Sequence, residues 1–150
     1  MLKISVAVTT FNGEQNLPEL LNSLKNQIRK PDEIIFVDDA SADGTADIIE
    51  EFIKENELSS WKLIRNKENL GNAMNFRKAL SNSSGDVIFL CTQNDIWYED
   101  KIESISSLMA GNENIIAVNC AHEMIDTEGK GMASDRLGET GSGLSRLSKT

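Results

Sequence analysis

The chain has 150 residues, 24 acidic against 15 basic side chains, one histidine and a formal net charge of −9. That length suits one domain with a core of ordinary size, and 39% hydrophobic with 26% charged residues is the composition of a globular protein in water. The acidic balance argues against general nucleic-acid binding and against charge-driven docking on anionic lipid, and a single histidine excludes a His-rich metal site.

Met1-Leu2-Lys3 runs straight into Ile4-Ser5-Val6-Ala7-Val8, too short and too soon polar for a secretory core. No apolar run approaches the ~20 residues of a membrane span. Cys91 and Cys120 lie in apolar, strand-like stretches and read as buried thiols of a reducing compartment, so a cytoplasmic location is expected.

In chain order, Lys3 to Thr9 reads as a strand. Glu14 to Gln27 is a helix with Leu17, Leu20, Leu21 and Leu24 on one face and Pro18 in its first turn. Glu33 to Val37 is a strand, and Asp43 to Asn56 a helix burying Ala46, Ile49, Phe52 and Ile53. Trp61 to Arg65 is a short strand, followed by a helix from Gly71 to Asn82 with Ala73, Phe76, Ala79 and Leu80 inward. Asp86 to Cys91 is a nearly all-apolar strand, as expected at the centre of a covered sheet. Asp100 to Met109 is a helix carrying Ile102, Ile105, Leu108 and Met109, and Ile115 to Asn119 a last strand. This alternation requires a mainly parallel α/β sheet with helices on both faces. Beyond about Asp126, glycines among Ser, Thr, Lys and Arg end the apolar periodicity, which gives a domain over 1–128 and a flexible Gly/Ser-rich tail over 129–150.

Four segments converge on the carboxyl edge of such a sheet, where parallel sheets take ligands. The strand Glu33 to Val37 runs into Asp38-Asp39, then into a polar, Gly-bearing turn. Asp43 or Ser41 suffices to cap the following helix, which leaves Asp38 and Asp39 over for a ligand offering hydroxyl and N–H donors, such as a ribose and a base. Thr9-Thr10-Phe11-Asn12 offers hydroxyls, an aromatic face and an amide to a base and its phosphates, or serves as an ordinary strand-to-helix turn. Asn66 to Asn75 places Asn and Gly at a helix N-terminus, which attracts phosphate or is a routine cap. Thr92-Gln93-Asn94-Asp95 ends a buried strand in a polar cluster closed by Trp97, either a foothold for a hard divalent cation on a diphosphate or a turn whose Trp packs on the sheet.

These motifs, taken in order from Lys3 to Lys130, resemble the nucleotide-sugar-binding part of inverting family 2 glycosyltransferases of GT-A fold, with the rhamnosyltransferase-like subgroup nearest. The stretches that carry the resemblance are Ser5 to Asn12, Gln27 to Thr45, Asn69 to Asn72, Ser84 to Leu90, Asp95-Ile96-Trp97 before Lys101-Ile102, and the turn Ile125 to Lys130. The resemblance implies that Thr9 and Phe11 meet the base, that Asp39 accepts from it, and that Asp38 lies near the ribose or supports the strand end. It implies that Asn69, Gly71 and Gln93 lie near a UDP-sugar or dTDP-sugar, and that Asn94 and Asp95 occupy the Mg2+ or Mn2+ position. The implied activity is transfer of a sugar, with inversion, to a glycan or lipid-linked acceptor in cell-surface polysaccharide synthesis, in the cytoplasm or peripheral to the inner membrane face.

Two departures qualify that expectation. Relatives commonly read Asp-x-Asp-Asp before Ile-Trp, whereas this chain reads Thr92-Gln93-Asn94-Asp95, which weakens a site for a hard cation. The family's base is a carboxylate of the C-terminal half, and Glu123, Asp126, Glu128, Asp135 and Glu139 match no family motif, so the catalytic residue is unassigned and the isolated chain is expected to be inactive. The sequence therefore reads as truncated at the acceptor part. The alternatives are a non-catalytic or degenerate nucleotide-sugar binding module, and a nucleotidyltransferase or other doubly wound nucleotide binder. Against the last stands the lack of a Gly-rich phosphate loop with Lys.

Overall fold

The computed structural model describes residues 1–120, 122 and 123, and the chain divides into two compact units, Met1–Ala110 and Gly111–Thr150. The first holds β1 (Ile4–Thr10), α1 (Leu17–Lys25), β2 (Glu33–Asp38), α2 (Thr45–Glu55), β3 (Trp61–Arg65), α3 (Asn72–Ser81), β4 (Val87–Thr92) and α4 (Lys101–Ala110). The strands form one parallel sheet in the order β3-β2-β1-β4.

Because side chains alternate along a strand, each strand supplies two faces. Ile4, Val6 and Val8 of β1, Ile34 and Phe36 of β2, and Val87, Phe89 and Cys91 of β4 enter the larger core with the α1 leucines, Ile49 and Ile102. Ala7, Ile35 and Val37 face the other way and meet Ala79 of α3 in a smaller cluster. β1 and β2, two of the strands that end in the candidate site, are buried along their whole length.

Several sequence expectations need correction. The apolar strand β4 lies at an edge of the described sheet, and its Leu90 is 55% exposed. A hydrophobic run reports burial capacity but not which neighbours are present. In α3 the buried positions are Asn75 and Ala79, while Ala73 and Leu80 are exposed and Phe76 half-buried. The helix is rotated by a polar anchor, since Asn75 Nδ2 donates to the Val37 carbonyl at 2.9 Å. In α4, Leu108 is exposed and Ser106 buried, where Arg29 donates to its hydroxyl. In the second unit, residues 115–119 are not a strand: no described strand pairs with them, and β-propensity without a ladder partner does not make one. Cys120 is half-buried, not buried. The turn Ile125 to Lys130 and the tail 129–150 lie outside the described residues.

At the amino edge of the sheet, buried Glu33 accepts from Ser5 Oγ (2.6 Å), Ser84 N (2.6 Å) and Ser84 Oγ (2.8 Å). Burial pushes its pKa up, but these hydrogen bonds and the Lys3 charge outweigh burial and hold it below the ordinary glutamate value. The folded state then binds fewer protons than the unfolded one, so stability rises with pH through this window. The contribution is complete above the ordinary value of about 4.3 and is lost as pH falls below it. Urea titrations of wild type and Glu33→Gln should therefore differ most near neutrality and converge in acid. A difference that does not change with pH contradicts this.

Candidate functional site

β1 and β2 end side by side, with Thr10 opposite Asp38 and Asp39 N donating to the Thr10 carbonyl at 2.9 Å. Alternation sends the two aspartates to opposite faces. Asp38, 1% exposed, accepts from Thr10 Oγ1 at 3.1 Å, from Ser41 N at 3.0 Å and from the Ser41 hydroxyl. It closes the turn that leaves β2, and its three accepted bonds leave about one acceptor site, as many as remain on Asp39. Ala40 makes this turn possible with φ 61°, a left-handed conformation that costs a non-glycine residue about 1–2 kcal/mol. Neither Asp43 nor Ser41 caps α2, whose N-cap is Gly44 with no side-chain cap bond; Asp43 lies one residue earlier and accepts from Thr45 N at 3.0 Å and from Glu14 N at 3.2 Å. Burial raises its pKa, but the Thr45 and Glu14 donors outweigh it and the net shift is downward.

Asp39, 3% exposed, points to the α3 side. Its Oδ1 accepts from Asn66 Nδ2 (2.7 Å) and Leu70 N (2.8 Å), and its Oδ2 from Gly71 N (2.9 Å). An ionised carboxylate has about four acceptor sites, so one remains for a ligand N–H or O–H. Asn69 Oδ1 shares the Gly71 N–H at 3.0 Å. Gly71 has φ 79° and ψ 158°, a region open essentially to glycine alone, and this presents its N–H to both side chains. Behind the loop, Asn66 also donates to Asn75 Oδ1 (3.0 Å) and accepts from Lys78 Nζ (2.6 Å). This Asn66–Asn75–Lys78 network was not legible in the sequence beyond a run of amides. Periodicity marks Ala73, Phe76, Ala79 and Leu80 as inward and passes over Asn75.

Thr9 is buried in β1, while the Phe11 ring is 45% exposed at the strand's end. Gln93 reaches the Phe11 main chain, and Asn94 Oδ1 accepts from Asn16 Nδ2 at 2.8 Å. Asp95 Oδ2 accepts from Thr92 N at 2.9 Å, which folds the turn after β4. Trp97, 4% exposed, packs on Phe89 at 5.7 Å with Lys101 Nζ 3.9 Å above its ring, so the tryptophan closes the turn onto the sheet. Burial, followed by the neighbouring Asp95 carboxylate, pushes the Cys91 thiol well up, so it is an inert core group.

The structure thus gathers Thr9, Phe11, Asp39, Asn69, Gly71 and the 93–95 turn along the carboxyl ends of β1, β2 and β4. Among nearby cations, Arg65 is turned toward Asp47 at 3.1 Å, whereas Lys67 and Arg77 are exposed. As metal donors, Asp95 keeps one carboxylate oxygen outside its turn bond and Asn94 offers an amide. No group of three His, Cys, Asp or Glu among the described residues could hold a metal ion. That set fits a cation only where a diphosphate and water supply most of its oxygens.

The model of glycosyl transferase family 2 matches residues 5–147. EpsH of Bacillus subtilis (strain 168), named as a glycosyltransferase, is 34% identical over 133 residues, which are 88% of this chain and 37% of EpsH. The mannosyltransferase PcManGT from Pyrobaculum calidifontis, solved with GDP-Man and Mn2+, superposes with a TM-score of 0.74 at 23% identity over 80% of this chain and 35% of its own. Residues 1–349 of S. aureus TarS with UDP-GlcNAc superpose at 0.68 and 24% identity, over 82% and 38% of the two chains. These two likenesses identify the fold as GT-A. The chain spans little more than a third of each of these three proteins. Among the described residues no helix is long and apolar enough to cross a membrane.

Proposed function

The chain belongs to glycosyl transferase family 2, and from that premise we propose that it is the donor-binding portion of an inverting glycosyltransferase of the rhamnosyltransferase-like subgroup. Its donor is a UDP- or dTDP-sugar and its acceptor a glycan or lipid-linked saccharide of the cell surface. The observation that carries this is the open acceptor site of Asp39 beside the exposed Phe11 ring, on adjacent strand ends. A uracil or thymine offers a ring N–H to the carboxylate and a face to the phenyl group. Asn69 and Gly71 stand on the sugar-diphosphate side. Asn94 and Asp95 would hold Mg2+ or Mn2+ there, and such an ion offsets charge on the departing diphosphate. Displacement of that diphosphate by an acceptor hydroxyl needs a base, for which no described carboxylate is assigned. Glu123 is described, whereas Asp126, Glu128, Asp135 and Glu139 are not. The free thiols Cys91 and Cys120 suit the reducing cytoplasm, where we place the domain, free or at the inner membrane face.

Calorimetric titration with UDP, dTDP, GDP and ADP, in chelator and in excess manganese, tests the reading. The pyrimidine diphosphates should bind best, with less than about a threefold response to manganese, because one carboxylate attracts a hard cation weakly. Asn94→Asp should increase that response. A strong manganese requirement in the unmodified chain contradicts the weak site. Saturable heat from none of the four contradicts donor binding altogether.

A further inference from the structure

The order β3-β2-β1-β4 puts β2 and β3 on one side of β1 and β4 on the other, so the chain reverses its direction of growth between β1 and β4. The crevice at such a switch point is where parallel α/β sheets take ligands. One side chain bridges it. Gln93 Oε1 accepts from Phe11 N at 2.7 Å, and Gln93 Nε2 donates to the Phe11 carbonyl at 2.9 Å. A peptide N–H only donates and a carbonyl only accepts, so a single orientation of the carboxamide satisfies both. The pair copies the two-bond contact of neighbouring strands beyond the last residues of the sheet. Gly13 makes room for it: a Cβ there would lie 2.4 Å from both Gln93 Cδ and Oε1, and 2.8 Å from Nε2. The atoms in the way are the far end of a flexible side chain, so an alanine at 13 displaces the amide and leaves the backbone in place.

We propose that Gln93 is a positioning residue whose carboxamide, seated over Gly13, locks the Phe11 main chain and so presets the exposed aromatic ring for the nucleoside base. This rests on the reading of Phe11 as the base-stacking residue. Gln93 thereby acts through Phe11, joining the base side of the site to the 92–95 turn on the diphosphate side. A ring fixed before binding spares the ligand the ordering cost of the turn, which is how a residue that does not touch the base sets its affinity.

The test uses the 150-residue chain with UDP as probe. Gln93→Met keeps the volume and removes both hydrogen bonds, while Gly13→Ala keeps the amide and displaces it. Each should weaken UDP binding about tenfold, and because both hydrogen bonds are exposed and water can replace them, the thermal midpoint should fall by no more than about 5 °C. Both should also speed hydrogen exchange at the Phe11 amide in the absence of ligand. In a Gln93→Ala background the Gly13→Ala change should cost nothing further, because the clashing side chain is gone. Wild-type UDP affinity in Gln93→Met or Gly13→Ala overturns the positioning role, as does full additivity of the two changes. An unmodified chain that binds no UDP overturns the donor reading itself, and this role with it.

Discussion

Asp39→Ala should both weaken nucleotide binding and destabilise the fold, and the two losses should be separable. The carboxylate is the shared acceptor for Asn66 Nδ2, Leu70 N and Gly71 N, two of them main-chain donors of the loop that enters α3. Removing it leaves the Leu70 N–H and one N–H of the buried Asn66 amide without an acceptor, while Asn66 keeps Asn75 Oδ1 and Gly71 N keeps Asn69 Oδ1. Leu70 and Gly71 are exposed, so water reaches their donors, while Asn66 is buried. The expected destabilisation is therefore about 2–4 kcal/mol, well short of three full penalties. Loss of the remaining acceptor site should weaken UDP binding by a further 1–3 kcal/mol, about ten- to hundredfold. Asp39→Asn isolates the electrostatic part: its oxygen still serves one or two donors, but its NH2 meets a donor in place of an acceptor. Urea denaturation reads the first loss and calorimetry in the native range reads the second. A variant that loses stability yet binds UDP as wild type does would make Asp39 an anchor of the 66–71 loop and nothing more.

Gly85→Ala should cost more than any other glycine substitution in the first unit, about 3 kcal/mol or above. A Cβ at Gly85 would lie 2.6 Å from both Ser5 N and Ser5 Oγ and 2.9 Å from the Lys3 carbonyl. Those backbone atoms belong to β1 and the residue before it, and β1 is paired on both sides, so nothing moves cheaply. The close approach also carries the Gly85 N to Ser5 Oγ hydrogen bond of 2.7 Å, through which Ser5 reaches Glu33. Gly44→Ala is the control: its Cβ would meet Glu14 Oε2 at 3.0 Å, the end of an exposed side chain that swings aside. Urea midpoints should separate the two variants clearly. A Gly85→Ala protein within 1 kcal/mol of wild type contradicts the packing at this edge.

The eight elements were legible because periodicity reports local burial, and the leucines of α1 and the apolar face of α2 lie where spacing put them. What spacing does not carry is the identity of the partner. β4 reads as a central strand yet sits at an edge of the described sheet, and residues 115–119 read as a strand yet have no ladder among the described residues. α3 presents Asn75 because an amide anchored to a strand carbonyl decides its rotation, a choice invisible to a hydrophobicity count. The site shows the same division. The convergence of the strand ends follows from the α/β order, but Asp38 and Asp39 are equivalent in the sequence. Only the pleat, which sends one to Ser41 and Thr10 and the other to the Leu70–Gly71 loop, tells them apart. Gln93 reads as a ligand-facing polar residue, and its pairing with Phe11 depends on a contact 82 positions away in the chain.

In the proposed function a nucleoside diphosphate binds at the carboxyl ends of β1, β2 and β4. A 15N-resolved titration of the chain with UDP tests it most directly. Saturable shifts are expected at Thr9, Phe11, Asp39, Gly71 and Gln93, with the Glu33, Ser84 and Gly85 amides at the opposite edge unmoved. Saturable shifts centred on that opposite edge, or none at Phe11 and Asp39 when UDP is in excess, would contradict it.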